Sequence, residues 1–173
     1  MQSTQDSRLS AEQRLTNMMQ KYGQSLLHTC FLILHDAHAA EDTVQDTFFK
    51  AYKNLNQLRA ASSERAWLMS IAVNKCRDYL RTAWLRRVDR RVPLEELSIV
   101  APDSEPFDDT LTQAIMDLPR KLREALVIYY FQQTTITQTA EILGVTERVV
   151  SYRLKKAKEI LRNELKEWYY DEN

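Results

Sequence analysis

The sequence predicts an all-α chain: two small helical domains joined by an extended acidic linker. Three observations carry that expectation. The 173 residues include only two glycines and four prolines, whereas sheet-rich folds need turn residues at short intervals. Apolar side chains recur at three- and four-residue spacing along most of the chain. Three of the four prolines fall in 93–110, PLEELSIVAPDSEPFDDT, together with most of an acidic run, and such a stretch reads as linker. A composition of 44% hydrophobic and 28% charged residues fits a folded globular chain and not a disordered one.

The elements follow in order. Residues 9–35 read as a helix on the spacing of Leu15, Met18, Met19, Tyr22, Leu26, Leu27 and Cys30. Residues 39–55 form a second, with Ala40, Val44, Phe48, Ala51 and Leu55 as one apolar stripe and Glu41, Asp42, Gln45, Asp46 and Phe49 opposite. The stretch LRAASS, 58–63, reads as a loop, and Ser63 is placed to cap a third helix over 64–87 that buries Trp67, Leu68, Ile71, Ala72 and Leu80. Three helices in this length make one small bundle, assigned to 1–92. After the linker at 93–110, the second domain, 111–173, shows helical patterns at 111–117, 120–131, 136–143 and 147–168.

Several function classes are excluded. Gly23 and Gly144 stand far apart, so no glycine-rich phosphate loop exists. No apolar run is long enough to span a membrane, and the start, MQSTQDSRLSAEQR, carries no apolar signal core, so the expectation is a cytoplasmic protein. Two cysteines, Cys30 and Cys76, make neither a disulfide framework nor a four-cysteine metal site. His28, His35 and His38 lie near Cys30 and Asp36, but without a second ligand cluster they read as a polar loop beside a core-edge cysteine, and no metal is expected. No nucleophile–base pair stands out, so no catalytic residue is assigned.

The net charge of zero hides a segregation. Residues 61–92 carry eight basic and three acidic side chains, 93–119 carry seven acidic and no basic ones, and 120–173 carry ten basic and eight acidic. Two basic segments flank an acidic one, and each must be judged by itself as a nucleic-acid surface.

The sharpest local pattern is ITQTAEILGVTERVVSYRLKKAKEIL, 136–161. Ala140 permits close helix approach, Gly144 allows a left-handed turn, and Thr146 caps a second helix whose inward face is Val150, Leu154, Ala157 and Leu161. That is a helix-turn-helix with Arg148, Ser151, Tyr152 and Lys155 outward, suited to a DNA major groove; the plainer alternative is a helical hairpin with a solvated basic face. In 64–87, Arg65, Lys75, Arg77, Arg81, Arg86 and Arg87 mix with Trp67, Tyr79 and Trp84. Two readings fit equally: a phosphate- and base-gripping surface, or core aromatics with solvated arginines. An outward Phe49 among Asp42, Gln45 and Asp46 points either to a protein docking face or to an isolated exposed aromatic.

Four segments, AEDTVQDTFFKAYKNL, RAWLMSIAVNKCRDYLR, LPRKLREALVIYY and TAEILGVTERVVSYRLKKAKEIL, in this order and with an acidic stretch between the second and third, resemble the extracytoplasmic-function (ECF) sigma factors of bacterial RNA polymerase over about residues 20–166. The resemblance implies an alternative sigma factor with no enzymatic activity and no cofactor, serving a stress- or envelope-type regulon. Its first domain, sigma-2, is expected to bind core RNA polymerase through Asp42, Gln45, Asp46 and Phe49. It is also expected to melt the −10 promoter element, with Arg59, Ser62, Ser63, Asn74, Arg77 and Arg81 at the DNA and Asn74 beside the pocket for a flipped base. Its second domain, sigma-4, is expected to read the −35 element with Thr146, Glu147, Arg148, Val149, Ser151, Tyr152 and Lys155. The acidic linker resembles the one that threads the polymerase cleft, and an anti-sigma factor is a further expected partner. Three places depart from the family pattern: Arg148-Val149 and Ser151-Tyr152 in the reading helix, Gln133 where glycine is frequent, and the LRAASS loop itself. The promoter sequences therefore do not carry over. Two rivals are a stand-alone regulator, which leaves the 42–49 face unexplained, and an adaptor or anti-sigma protein, which has no need of two basic segments.

Overall fold

The computed structural model describes the backbone of residues 2–58, 64–90 and 109–171, and the side chains of 11–58, 64–85 and 110–165. Among these residues the architecture is entirely helical: α1 (Gln2–Leu34), α2 (Ala37–Lys53), a short 3₁₀ turn (Leu55–Gln57), α3 (Glu64–Arg90), α4 (Asp109–Asp117), α5 (Arg120–Leu126), a π-helical turn (Val127–Phe131), α6 (Ile136–Leu143) and α7 (Glu147–Asp171). The loop residues Arg59, Ser62 and Ser63, the expected cap at Ser63 and nearly all of 93–110 lie outside the described residues.

In the first half, α1, α2 and α3 pack against one another. α1 ends at His35, whose φ of 60° turns the chain, and Asp36 caps α2 by accepting from the Ala39 amide at 2.9 Å. The stripe expected on α2 is the buried one: Ala40, Phe48 and Ala51 are in the core and Val44 and Leu55 pack against it. Thr43 and Thr47 join them, and the Thr47 hydroxyl donates to the Thr43 carbonyl at 2.7 Å, so no polar atom there is stranded. Met19, expected on the inward face of α1, is instead half exposed, because Met18 takes the core position. Cys30 and Cys76 face each other between α1 and α3. Both are free thiols and fully buried, and the Cys76 thiol, bonded to Cys30 and shut away from water, is pushed well above its ordinary pKa.

In the second half the expected single helix over 120–131 is not continuous. It relaxes at Val127 into a π turn, closed by the Thr134 amide donating to the Tyr129 carbonyl at 3.2 Å and the Thr134 hydroxyl donating to Ile128 O at 3.0 Å. Glu124 to Ile128 are buried as five consecutive residues. A regular amphipathic helix has an outside and cannot bury such a run; this stretch is covered on all sides, by α1 and α6 as well as α7. Thr135 and Gln138 then form a reciprocal capping box on α6. α6 ends in a Schellman turn: Gly144 has φ 66°, and the Val145 and Gly144 amides donate back to Ala140 O and Glu141 O. Thr146 caps α7 through the Val149 amide at 3.4 Å, and Val150, Leu154 and Ala157 are buried, with Leu161 packed beside them.

The two halves are not separate bodies. One hydrophobic core runs through both, with α3 lying along α6 and α1 against the π turn.

Candidate functional site

Three surfaces carry the residues singled out by sequence. On α2, Asp42, Gln45, Asp46 and Phe49 are all exposed along one face, and Phe49 is 61% exposed. The Lys53 ammonium sits 4.2 Å from the centre of its ring, which holds the ring in place without covering it. Asp46 is 3.6 Å from Lys75 of α3, a surface pair. The result is a rigid aromatic ringed by acidic and amide groups, a chemistry that fits a basic, partly apolar protein surface.

On α7, Arg148, Ser151, Tyr152 and Lys155 are exposed together, with Tyr152 60% exposed and Val149 half-buried beside them. The first turn is braced from α6: the Thr137 hydroxyl donates to the Glu147 carboxylate at 2.7 Å. Glu147 is thereby committed to the turn. Further along, Lys156 is 3.1 Å from Glu159, an ion pair that raises the lysine pKa, and Lys158 lies over the Tyr130 ring. A cleft lined by Tyr129, Ser151, Tyr152, Lys155, Lys158 and Arg162 runs beside the reading face. Basic and aromatic groups with a hydroxyl are suited to phosphates and base edges.

The third surface is on α3. Asn74 is exposed, and Arg81 is exposed and paired with Asp78 at 3.0 Å. Tyr79 is partly exposed, Trp84 is 63% exposed and Trp67 half-buried, so the aromatics divide between the two sequence readings. Two of the arginines do neither of the things the sequence allowed. Arg77 donates to the Glu124 carboxylate at 2.8 and 3.1 Å, to the Leu143 carbonyl at 3.2 Å and to Asn74 at 3.5 Å. Arg65 donates to the Gln132 side-chain oxygen at 2.8 Å. Both reach across to the second half of the chain.

Sequence reasoning missed the acceptors. Glu124 and Gln132 are 1% and 2% exposed. Gln132 also accepts from Ser25 at 2.7 Å and donates to Thr29 at 2.6 Å. Next to it Gln133 holds a φ of 51°, the left-handed conformation that glycine adopts at least cost. Arg123 donates to Ile33 O at 3.1 Å, to Met116 O, and to His35 Nε2 at 2.9 Å. A guanidinium has no acceptor, so His35 must present a bare Nε2 and stay neutral. Burial first, then the Arg123 charge, pull its pKa down to about 4, against a smaller upward pull from Asp117. His28 packs edge-on to Phe131 and is lowered by burial, while His38 is exposed. Among the described residues no group of three or more His, Cys, Asp or Glu is placed to hold a metal. No described helix is long and apolar enough to cross a membrane.

Comparison with known proteins gives the family of the chain. The profile of Sigma-70 region 2 matches residues 18–86, and that of Sigma-70, region 4 matches 108–161, together well over half of the chain. The chain belongs to the sigma-70 family, in its ECF group. The ECF RNA polymerase sigma factor SigW of Bacillus subtilis is 27% identical over 160 residues, covering 84% of this chain and 86% of that protein. A protein of Xanthomonas campestris pv. campestris described as a probable RNA polymerase sigma factor, RfaY, is 31% identical over 142 residues, which is 77% of this chain but 36% of the relative, so the chain spans about a third of that protein's length. Among solved structures, the sigma factor RpoE of Bartonella quintana, in complex with the anti-sigma factor NepR, shares the fold with a TM-score of 0.78 at 23% identity, over 87% of this chain and 96% of that one. In sigma-70 terms, α1 to α3 hold region 2, and α4 to α7 hold region 4.

Proposed function

We propose that this chain is an alternative sigma factor that docks on core RNA polymerase, recognises −35 and −10 promoter elements and initiates transcription, with no catalytic residues of its own. The observation that carries the reading is the coexistence, on one ECF-family chain, of an exposed acidic-aromatic face on α2 and an exposed basic-aromatic face on α7. The first suits a protein partner and the second DNA, and a stand-alone regulator needs only the second. In this reading Asp42, Gln45, Asp46 and Phe49 meet polymerase; Thr146, Glu147, Arg148, Val149, Ser151, Tyr152 and Lys155 serve the −35 element, Thr146 and Glu147 by shaping the turn. Asn74, Arg77 and Arg81, with Arg59, Ser62 and Ser63, serve the −10 element. The proposed division is 1–92, 93–110 and 111–173. The protein works in the cytoplasm, where its polymerase is, and an anti-sigma factor is its expected regulator.

The test is promoter-specific transcription by purified core polymerase with and without the chain. Asn74→Ala serves as the internal probe: permanganate reactivity of unpaired thymines should fall while closed-complex formation persists, because a base is read only after it leaves the stack. Failure of the chain to bind core polymerase would refute the reading.

A further inference from the structure

The helix-turn-helix carries an acidic side chain in its reading turn. Glu147 opens α7, one residue before Arg148, in the turn assigned above to the −35 groove. At a helix N-terminus a carboxylate is favoured by the helix dipole. Against DNA the same charge is unfavourable, because both edges of the groove are lined by phosphates. A loose carboxylate in that turn would also compete with Arg148 for the bases. It accepts from the N4 amino group of cytosine, whereas a guanidinium reads O6 and N7 of guanine.

The structure shows what restrains this group. Thr137, at the second position of α6, donates its hydroxyl to Glu147 Oε1 at 2.7 Å, although ten residues separate the two and both are exposed. The remaining bonds of the turn are longer. The Thr146 cap reaches the Val149 amide at 3.4 Å, beyond the usual range, and the Val150 amide donates to Thr146 O at 3.1 Å. Thr137 itself is firmly placed. The reciprocal bonds of Thr135 and Gln138 fix the backbone on either side of it, and the buried Thr139 donates to Thr135 O at 2.8 Å. A hydroxyl on a fixed turn therefore holds the acid against α6 through a short, charge-assisted bond.

We infer that Thr137 is a positioning residue for −35 specificity: acting through Glu147, it keeps that carboxylate out of the major groove, so that the base contacts of the first turn fall to Arg148. This rests on the assignment of α7 to the −35 element made above. Glu147 then complements the helix dipole without facing DNA, and Thr137 shapes base preference without a DNA contact of its own.

The experiment uses the full chain assembled with core polymerase, transcribing a promoter library randomised over the −35 element. Thr137→Val removes the hydroxyl and keeps the shape. The freed carboxylate should raise the preference for cytosine, on one strand or the other, by about fivefold at one −35 position. Thr137→Ser keeps the donor and should match wild type. In a Glu147→Ala background Thr137→Val should change nothing further, since a residue that acts only through another has no effect once that partner is gone. Wild-type base preference in Thr137→Val, the same shift in the Glu147→Ala background, or a shift in Thr137→Ser would each overturn the inference. So would a uniform loss of transcription at every sequence, the mark of a merely structural role. Thermal unfolding followed by circular dichroism checks the fold; if Thr137→Val melts early, Thr137→Ala, the better helix former, decides by the same criteria. A wild-type holoenzyme indifferent to the −35 sequence would refute the assignment of α7 and the inference with it, a failure visible before any variant is compared.

Discussion

Replacing Arg148 and Lys155 one at a time by alanine separates base reading from phosphate anchoring on α7. The two are seven residues apart, which is roughly 10 Å along the axis and within about 20° of one face. They flank Ser151 and Tyr152, and all four are exposed. Two neighbouring cations are engaged elsewhere, Lys156 with Glu159 and Lys158 over Tyr130, and Arg153 is half-buried. Arg148 is the second residue of the helix, in the turn that enters a major groove deepest, where a guanidinium can pair with O6 and N7 of guanine. Losing such a pair costs about 1–3 kcal/mol of discrimination, or roughly fivefold to a hundredfold in preference at one or two −35 positions. Lys155, two turns on, is placed for phosphate; its loss should weaken all −35 sequences alike and reduce the slope of log K against log salt by about 0.9. Neither side chain is packed, so each variant should keep its stability within about 0.5 kcal/mol. Transcription of a randomised −35 library by each mutant holoenzyme, with a salt titration of binding, reads both effects. An unaltered base preference for Arg148→Ala refutes the reasoning, and a preference change on Tyr152→Ala would move the base contact there, to a thymine methyl.

Asp46→Arg should abolish competition for core polymerase against a reference sigma factor while costing at most about 1 kcal/mol of stability, since the pair it breaks with Lys75 is on the surface; unchanged competition removes this face from the interface. Gln133→Gly should raise the denaturation midpoint by about 0.5–1 kcal/mol equivalent, because the exposed side chain is held at φ 51°; a destabilised variant would mean that the Gln133 side chain contributes more than its backbone strain removes. Stability should fall as pH drops from 6.5 towards 4, because His35 titrates near 6.5 unfolded and about 4 folded, so the unfolded chain takes up the proton first. The group is half exposed, so after screening the loss is about 1–2 kcal/mol. His35→Asn, which tolerates the left-handed backbone, should flatten part of that slope, His28 supplying more in the same direction; an unchanged slope refutes the attribution.

What could be read from the chain alone was what local periodicity encodes. α2, α3, α6 and α7 announce themselves by apolar spacing, and the turn between α6 and α7 by Gly144 and Thr146, because each of these features is settled within a few residues. Two further local signals are of the same kind: Asp36 as the cap of α2, and Thr135 with Gln138 as a capping box. The break at Val127 was hidden, because no proline or glycine marks it and the bond that closes it runs from Thr134 back to Tyr129. The exposed α2 and α7 faces were legible for the same reason as the helices, since a polar stripe is the complement of an apolar one. The roles of Arg65 and Arg77 were not, because their partners lie 67 and 47 residues away and nothing in either segment points to the other.

The polar part of that long-range contact contributes differently from the apolar core that the two halves share. Met69 and Ile142 supply some apolar burial at the α3–α6 crevice, but the directional interactions there are Arg77 with Glu124 and Arg65 with Gln132. A purely apolar interface would be held by the area removed from water and would resist separation in proportion to that area. A buried ion pair behaves differently: its attraction is largely offset by the cost of stripping both charges of water, so its net contribution is small while the penalty for mispairing is large. The ion pair thus fixes how α3 meets the second half of the chain more than how firmly the two are held, the holding falling to the apolar core that the halves share. A variant in which Glu124 and Arg77 are both replaced by leucine tests this reasoning: in thermal unfolding it should stay close to wild type, whereas Arg77→Leu alone, which takes the main partner from a buried carboxylate, should lose about 3–5 kcal/mol, and equal losses in the two variants would refute it.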